Sequence, residues 1–482
     1  MTPSTLAPST SDSSVQANAG ILATIDGDAP SESRPRKSVF SSKLGFVLAA
    51  AGSAVGLGNV WRFPYFAATY GGGTFLFAYL LIALTFGIML LIAEVAIGRA
   101  TGHGPVAAFR QLDRRFTSVG VLAMLVPAII FPFYSVIGGW VTRYAFVFLT
   151  GGAAAAAETG AFGAFTSQTW GPIGWLAVFI LATAVLVARG INKGIERINL
   201  ITMPIFIVML LGLAIYTLTL PGGTEGLRHF LLPDFSELSA NTFIAATRQS
   251  FFSLSLASGV MVAYGSYMKK SASIEKAAFQ IGVFDTTASI IAGLLVIPAV
   301  VAIMGIDGLG QGAGLLFATL PHVFASMPGG AIVGAIFFVL MLGAAVTSSI
   351  SMLEVVVNSL MDRAKWSRLK ATVVTSVGGF LFGLPVTLGF GVWSNVRLGG
   401  RDILGMMNFL TDTVMMPLVG LGTVLVVGWV IGPQRIIAAV HQDGQLFRTE
   451  KMFVVLIKWV GPALLTGLVA TSFLMAFGVI TL

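Results

Sequence analysis

The chain has 482 residues, of which 56% are apolar and only 10% charged, with 57 glycines; soluble chains carry about 25% charged residues, so a string of soluble domains is excluded. The absence of cysteine excludes disulfide scaffolds, thiolate metal sites and cysteine nucleophiles, and the single placement of His103, His229, His322 and His441 argues against a histidine metal box. The net charge of +8 raises nucleic acid as a partner, a reading that the distribution of the basic residues decides.

Residues 1–36 are rich in Ser, Thr, Asp and Pro, and the short apolar stretch at 20–25 is flanked by polar groups. This composition predicts a disordered, solvated tail rather than a cleaved signal. From Leu44 onward, apolar stretches recur that are long enough to cross about 30 Å of hydrocarbon at 1.5 Å per residue. Eleven spans are expected, near 42–68, 73–98, 117–149, 171–189, 194–218, 242–268, 275–304, 331–361, 370–390, 402–431 and 452–482. The expected fold is an all-α integral membrane protein with tail 1–36, a ten-span core over 37–431, and a loop with a last helix over 432–482.

Cytoplasmic loops of membrane proteins are enriched in Lys and Arg. The loops before spans one, three, five, seven, nine and eleven hold 21 such residues, whereas the intervening loops hold 3, namely Arg228, Arg397 and Arg401. The N-terminus is therefore expected inside and, with an odd span count, the C-terminus outside, in the plasma (inner) membrane. The positive charge is mostly an orientation signal, which leaves a nucleic-acid partner nothing to explain; the lipid bilayer is the expected partner.

Several spans carry groups that a purely structural membrane helix avoids. In the first, Gly52, Ser53, Gly56, Gly58, Asn59 and Arg62 cluster in GSAVGLGNVWRFP, which predicts a helix that unwinds near mid-membrane and frees carbonyl oxygens beside a cavity. The third span places Tyr134 in an apolar surround. The sixth repeats the interruption in QSFFSLSLASG, residues 249–259, five spans after the first. That spacing predicts two five-helix repeats of inverted orientation, with the broken helices forming a midplane site for substrate and ions. The seventh span adds Asp285, Thr286, Thr287 and Ser289, and the eighth adds Thr347, Ser348 and Ser351 in GAAVTSSISM. Hydroxyls, an amide, one carboxylate and freed carbonyls suit a hard monovalent cation better than zinc or copper, and calcium or magnesium needs more carboxylates, so sodium fits this set. Glu94 in the second span reads as structural.

GSAVGLGNVWRFPY with the following YGGGTFLFAY, FFSLSLASG and AAVTSS, in this order, resemble the motifs of the neurotransmitter:sodium symporter family over residues 37–431, and the eleven-span layout is similar to bacterial members. The resemblance implies the LeuT-type fold, two sodium ions and an amino-acid substrate. A first sodium site is implied at the Ala54 carbonyl, Asn59, Ser253, Asp285 and the substrate carboxylate. A second is implied at the carbonyls of Gly52, Val55 and Ala344 with the hydroxyls of Thr347 and Ser348. Tyr134 would hydrogen-bond the substrate carboxylate, Ser255 with nearby carbonyls would meet its amine, and Ile130, Phe252, Ser258, Ser348 and Met352 would form the pocket wall, with Ala54, Gly56, Gly58 and Ser253 around the main-chain end of the substrate. Gly56 stands where amine transporters of the family carry Asp, which favours an amino acid that brings its own carboxylate. Ser258 and the flexible Met352 favour a neutral, hydrophobic L-amino acid.

The resemblance also implies an outer gate of Arg62 and Phe252, whose acid in the tenth helix maps onto Asn408, with Asp412 one turn later as the substitute. The chloride ligands of related proteins map onto Tyr79, Gln249, Ser253 and Ser289, but Asp285 replaces their Asn. Chloride is thus possible but not expected to be required, because two sodium ions and one substrate carboxylate leave a charge that a fixed carboxylate neutralises. An inner gate is implied at Lys37, Phe40, Tyr267 and Asp362, and Gly194 with Pro204 would let the fifth helix unwind. No nucleophile and base set is present, so a symporter rather than an enzyme is expected. The alternatives are a proton-coupled amino-acid transporter and a ligand sensor with a transporter fold; oligomeric state is open.

Overall fold

The computed structural model describes residues 43–190, 197–306, 309 and 315–476. The tail expected over 1–36, the gate residues Lys37 and Phe40, the helix-breaking Gly194 and the end of the last span lie outside the described residues. Among the described residues the fold is all helical, with one isolated bridge between Leu398 and Arg401.

The first apolar stretch forms α1 (Lys43–Ala54), is interrupted at Val55 and Gly56, and resumes as α2 (Gly58–Thr69) with a bend of 42°. α2 opens with a π-helical turn over Gly58–Arg62. α3 (Gly73–Thr101) follows a glycine turn and stops at Gly102, whose φ of 66° makes the left-handed cap that glycine favours. A short amphipathic α4 (Pro105–Leu112), with Pro at its N-terminus, leads to α5 (Thr117–Leu149). α6 (Trp170–Ala188) and α7 (Arg197–Leu218) come next, and α8 (Gly223–Leu231) turns away from α7 by 117°.

The sixth stretch is split into α9 (Ala240–Ser253), capped by the Ser239 hydroxyl, and α10 (Val260–Gly265). After α11 (Ile274–Met304) come α12 (Leu315–Ser326), α13 (Gly330–Ala364), α14 (Arg368–Leu388) and α15 (Ile403–Val430), then α16 (Pro433–His441) and α17 (Glu450–Met475). Among the described residues, eight unbroken helices are long and apolar enough to cross a membrane, and counting each of the two bent pairs as one span brings the number to ten. The eleventh of the expected set is the split α9 and α10, of 14 and 6 residues, neither long enough alone.

Large apolar side chains face outward from α6, α7, α13 and α14, with Leu181, Val208, Ile332 and Phe382 at least 65% exposed. Such a surface suits hydrocarbon rather than water. Inside, α5 packs most extensively against α13, and α1 lies between α11 and α13. α3 runs along both halves of the split span. Its close crossing with α10 depends on paired glycines: a Cβ on Gly98 would lie 2.0 Å from the Val262 carbonyl oxygen, and one on Gly265 2.4 Å from that of Val95. The two interruptions thus sit among α3, α5, α11 and α13, where the free backbone groups are covered by protein.

Candidate functional site

The break between α1 and α2 is held by its own residues. Gly56 N–H donates to Asn59 Oδ1 at 2.9 Å, and Asn59 N–H donates back to the Gly56 carbonyl at 3.2 Å. Leu57 N–H reaches the Tyr134 hydroxyl of α5 at 3.3 Å. Gly56 is sterically required, because a Cβ there would lie 2.2 Å from Ser348 Oγ and 2.8 Å from Tyr134 Oη. Ala54 and Val55 flank the break, with Val55 N–H bonded to the Ala51 carbonyl at 2.6 Å.

Asn59 also anchors a polar shell around Asp285 of α11. Its amide donates to Asp285 Oδ1 at 2.7 Å, to Ser289 Oγ at 2.8 Å and to Ser253 Oγ at 3.1 Å. Ser253 donates to the carboxylate at 2.8 and 3.0 Å, and Tyr79 of α3 donates at 3.2 Å. Asp285 and Ser289 are fully buried. A buried carboxylate is tolerated where it is paired or hydrogen-bonded, and this one accepts from three side chains, Asn59, Ser253 and Tyr79, with Ser289 bonded to two of them. Gln249 takes a different partner: its amide donates to the Gly58 carbonyl at 3.1 Å, which secures the first turn of α2.

A second oxygen cluster lies where α13 meets α1. Thr347 Oγ1 is 2.9 Å from the Gly52 carbonyl and 2.8 Å from that of Ala344, and Ser348 Oγ is 3.4 and 3.3 Å from the same two oxygens. Back-bonding to a helix's own carbonyls is common for such hydroxyls; the reach across to Gly52 is not local. Neutral oxygens from two elements converge, a donor set that fits a hard monovalent cation such as sodium.

Residues 254–259 separate α9 from α10, with Ser255, Ala257 and Gly259 at φ of 53°, 54° and 68°. The first two are left-handed without being glycine, a costly conformation held by its surroundings. Glu94 is one holder: its Oε1 accepts from Ala257 N–H at 2.7 Å, and it is 1% exposed. Its role is structural, as expected, but it acts at the unwound segment that lines the site. Below the break, Ser53, Ile130, Phe252, Ser255, Ser258, Ser348 and Met352 enclose a cavity of about 20 Å³, joined by Pro127, Val260 and Met416, which the sequence did not single out. That volume holds a single water. Gly58 packs under the Phe252 ring, with room for no Cβ beyond 2.9 Å.

Above this cavity, Arg62 lies over the Phe252 ring at 4.4 Å and over Phe66 at 4.6 Å, and forms an ion pair with Asp412. Arg248 joins the same carboxylate at 3.4 Å. The acid facing Arg62 is therefore Asp412, not a group at Asn408. Asp412, the substitute expected one turn after Asn408, lies in the π-helical segment Phe409–Met415.

At the opposite end, Tyr267 donates to Glu354 of α13 at 2.8 Å, and Glu354 is held by Arg368 of α14. Arg368 also donates to the Val187 carbonyl of α6 at 2.8 Å. Neither Glu354 nor Arg368 was singled out as a site residue; a buried acid in the eighth span was the available signal. Asp362 accepts from Gly104 N–H at 3.1 Å and faces His103 at 3.5 Å.

Comparison with known proteins agrees with this arrangement. The sequence matches the profile of the Sodium:neurotransmitter symporter family over residues 37–157 and 165–479. It is 36% identical over 393 residues to the uncharacterized sodium-dependent transporter YhdH of Bacillus subtilis (strain 168), covering 80% of this chain and 86% of that protein. It is 26% identical over 469 residues to the sodium- and chloride-dependent GABA transporter ine of Drosophila melanogaster, covering 86% of this chain and 49% of that protein. The crystal structure of MhsT in complex with L-phenylalanine superposes with a TM-score of 0.85 at 37% identity, covering 91% of this chain and all of that one. The chain belongs to the sodium:neurotransmitter symporter family, and is a sodium-dependent multi-pass membrane transporter rather than an enzyme.

Proposed function

We propose that the protein imports a neutral, hydrophobic L-amino acid with sodium by alternating access, without requiring chloride. The observation that carries this reading is the buried Asp285 carboxylate inside the Asn59, Ser253, Tyr79 and Ser289 shell. One co-transported sodium is held by the Ala54 carbonyl, Asn59, Ser253, Asp285 and the substrate carboxylate. The other is held by Gly52, Val55, Ala344, Thr347 and Ser348. Asp285 supplies the fixed negative charge that leaves the Tyr79, Gln249, Ser253 and Ser289 region without need of an anion. Gly56 leaves space beside Tyr134 for the substrate carboxylate, and the L-phenylalanine in MhsT supports an apolar side chain against Ile130, Ser258 and Met352.

In the proposed cycle Phe252 and the Arg62–Asp412 pair close over the bound substrate, and the interface around Tyr267, Glu354, Arg368 and Asp362 then opens inward. The N-terminus lies in the cytoplasm and the C-terminus outside, in the plasma membrane. The test is uptake of radiolabelled leucine, methionine, phenylalanine and tryptophan into proteoliposomes, with an inward sodium gradient or equal potassium, and with chloride or gluconate. Accumulation that needs sodium and persists in gluconate is expected. Loss of uptake in gluconate overturns the chloride part, and saturable binding without accumulation overturns transport.

A further inference from the structure

The outer gate holds more positive than negative charge. Arg62 from α2 and Arg248 from α9 both donate to one oxygen, Oδ2 of Asp412 on α15. Both guanidinium groups stay protonated at physiological pH, so two cations share one carboxylate. All three side chains are withdrawn from water, with exposures of 6% for Arg62, 17% for Arg248 and 2% for Asp412. Tyr70 beside them brings a phenol and no carboxylate.

The hydrogen bonding is incomplete as well. Arg62 Nη1 and Arg248 Nε are buried with no partner among the described residues, as is Asp412 Oδ1. The Arg62 guanidinium lies over the Phe66 and Phe252 rings at 4.6 and 4.4 Å, which leaves its N–H edge for a ligand. A buried guanidinium without full pairing is strongly unfavourable, and an anion accepting from the N–H edges relieves the excess positive charge and the missing hydrogen bonds of Arg62 and Arg248, while Asp412 Oδ1 needs a donor from elsewhere.

We propose that the outer gate is a binding site for a small monovalent inorganic anion such as chloride, held by the N–H edges of Arg62 and Arg248. One negative charge balances the cluster, and the aromatic cover on Arg62 favours a compact ion. When the gate opens, Arg62 and Arg248 part from Asp412 and hydrate, so the anion binds the closed gate better and shifts the population toward closure. This site shares no residue with the Asp285 shell. Chloride here tunes retention of substrate and is no part of the charge balance of sodium coupling.

The test uses the full-length protein with sodium and phenylalanine, with bromide replacing chloride, and anomalous diffraction from its crystals. A bromide peak is expected within hydrogen-bond reach of Arg62 and Arg248. It persists in Arg248→Lys, disappears in Arg248→Gln, and strengthens in Asp412→Asn, where two guanidinium groups face no acid. Substrate dissociation in sodium chloride is expected to be roughly fivefold slower than in sodium gluconate for the natural protein, the low end of ordinary coupling between sites, and equal in the two salts for Arg248→Gln. Absence of a gate peak together with equal dissociation rates overturns the proposal and leaves the proposed function intact. A peak at the Asp285 shell instead overturns both this proposal and the chloride part of that function. Displacement of gate bromide by excess free amino acid assigns the site to carboxylates and likewise overturns it.

Discussion

In the proposed function, Gly56 and Asp285 are the two positions where one side chain, or its lack, sets what the site accepts. The hydroxyls of Ser348 and Tyr134 occupy the volume a Cβ at Gly56 would need. Gly56→Ala is therefore expected to push Ser348 from the Gly52 and Ala344 carbonyls, with an overpacking cost of about 1–3 kcal/mol. Equilibrium binding of labelled phenylalanine to purified protein should weaken about tenfold or more, since each 1.4 kcal/mol is a factor of ten; unchanged affinity would show that the substrate does not approach this hydroxyl pair. At Asp285 the argument is charge. Asp285→Ser removes the carboxylate but keeps a polar group for Asn59, Tyr79 and Ser253, so uptake is expected to become chloride-dependent by roughly a factor of ten, equivalent to about 1.4 kcal/mol. A variant equally slow in chloride and gluconate would remove the reason for assigning Asp285 that role.

The helical elements matter here for where they fail. α9 and α10 are separated by residues whose backbone adopts left-handed conformations at Ser255 and Ala257, and a free N–H at Ala257 is met by Glu94 from α3. Glu94→Ala strands that N–H, at a cost of about 1–3 kcal/mol. The expected result is a lower melting temperature in detergent and weaker substrate binding, with Glu94→Gln intermediate because its amide oxygen still accepts. Equal melting of all three would mean that the break is held by other contacts. The gate acid also sits at a local irregularity: Asp412, the expected substitute for Asn408, lies in the π-helical segment Phe409–Met415 of α15 and pairs with Arg62.

For the molecule as a whole, transport depends on which side each end of the bundle faces. The chain contains no cysteine, so single introduced cysteines report topology without background. Ala107→Cys on α4 is expected to react with an impermeant maleimide only in inside-out vesicles, and Ser236→Cys, between α8 and α9, only in right-side-out ones. The reverse pattern would overturn the proposed orientation. Under the proposed function and orientation, two sodium ions entering with a zwitterion would move two charges down the membrane potential, about 4.6 kcal/mol per 100 mV. That drive alone supports roughly a thousandfold accumulation, at 1.4 kcal/mol per factor of ten. The partial burial of the spans fits this picture: α3 and α5 are largely enclosed, whereas α6, α14 and α17 turn most of their residues outward to lipid.

Much of this was legible in the amino-acid order alone. Hydropathy and the basic loops depend on composition within one segment, so the helical membrane architecture and the place of both breaks at Gly56 and near Ser255 could be read without a structure. So could the motifs that mark the family. Partners drawn from distant segments could be read only where the resemblance named them, as for Asn59, Ser253 and Asp285. That Glu94 meets Ala257, that Tyr267 and Arg368 close on Glu354, and that Pro127, Val260 and Met416 complete the cavity are consequences of helix packing. Asn408 and Asp412 were both on offer at the outer gate, and which of them meets Arg62 was decided by packing. Local patterns determined which helices form and where they break; register and packing, which are properties of pairs of helices, decided which side chains meet.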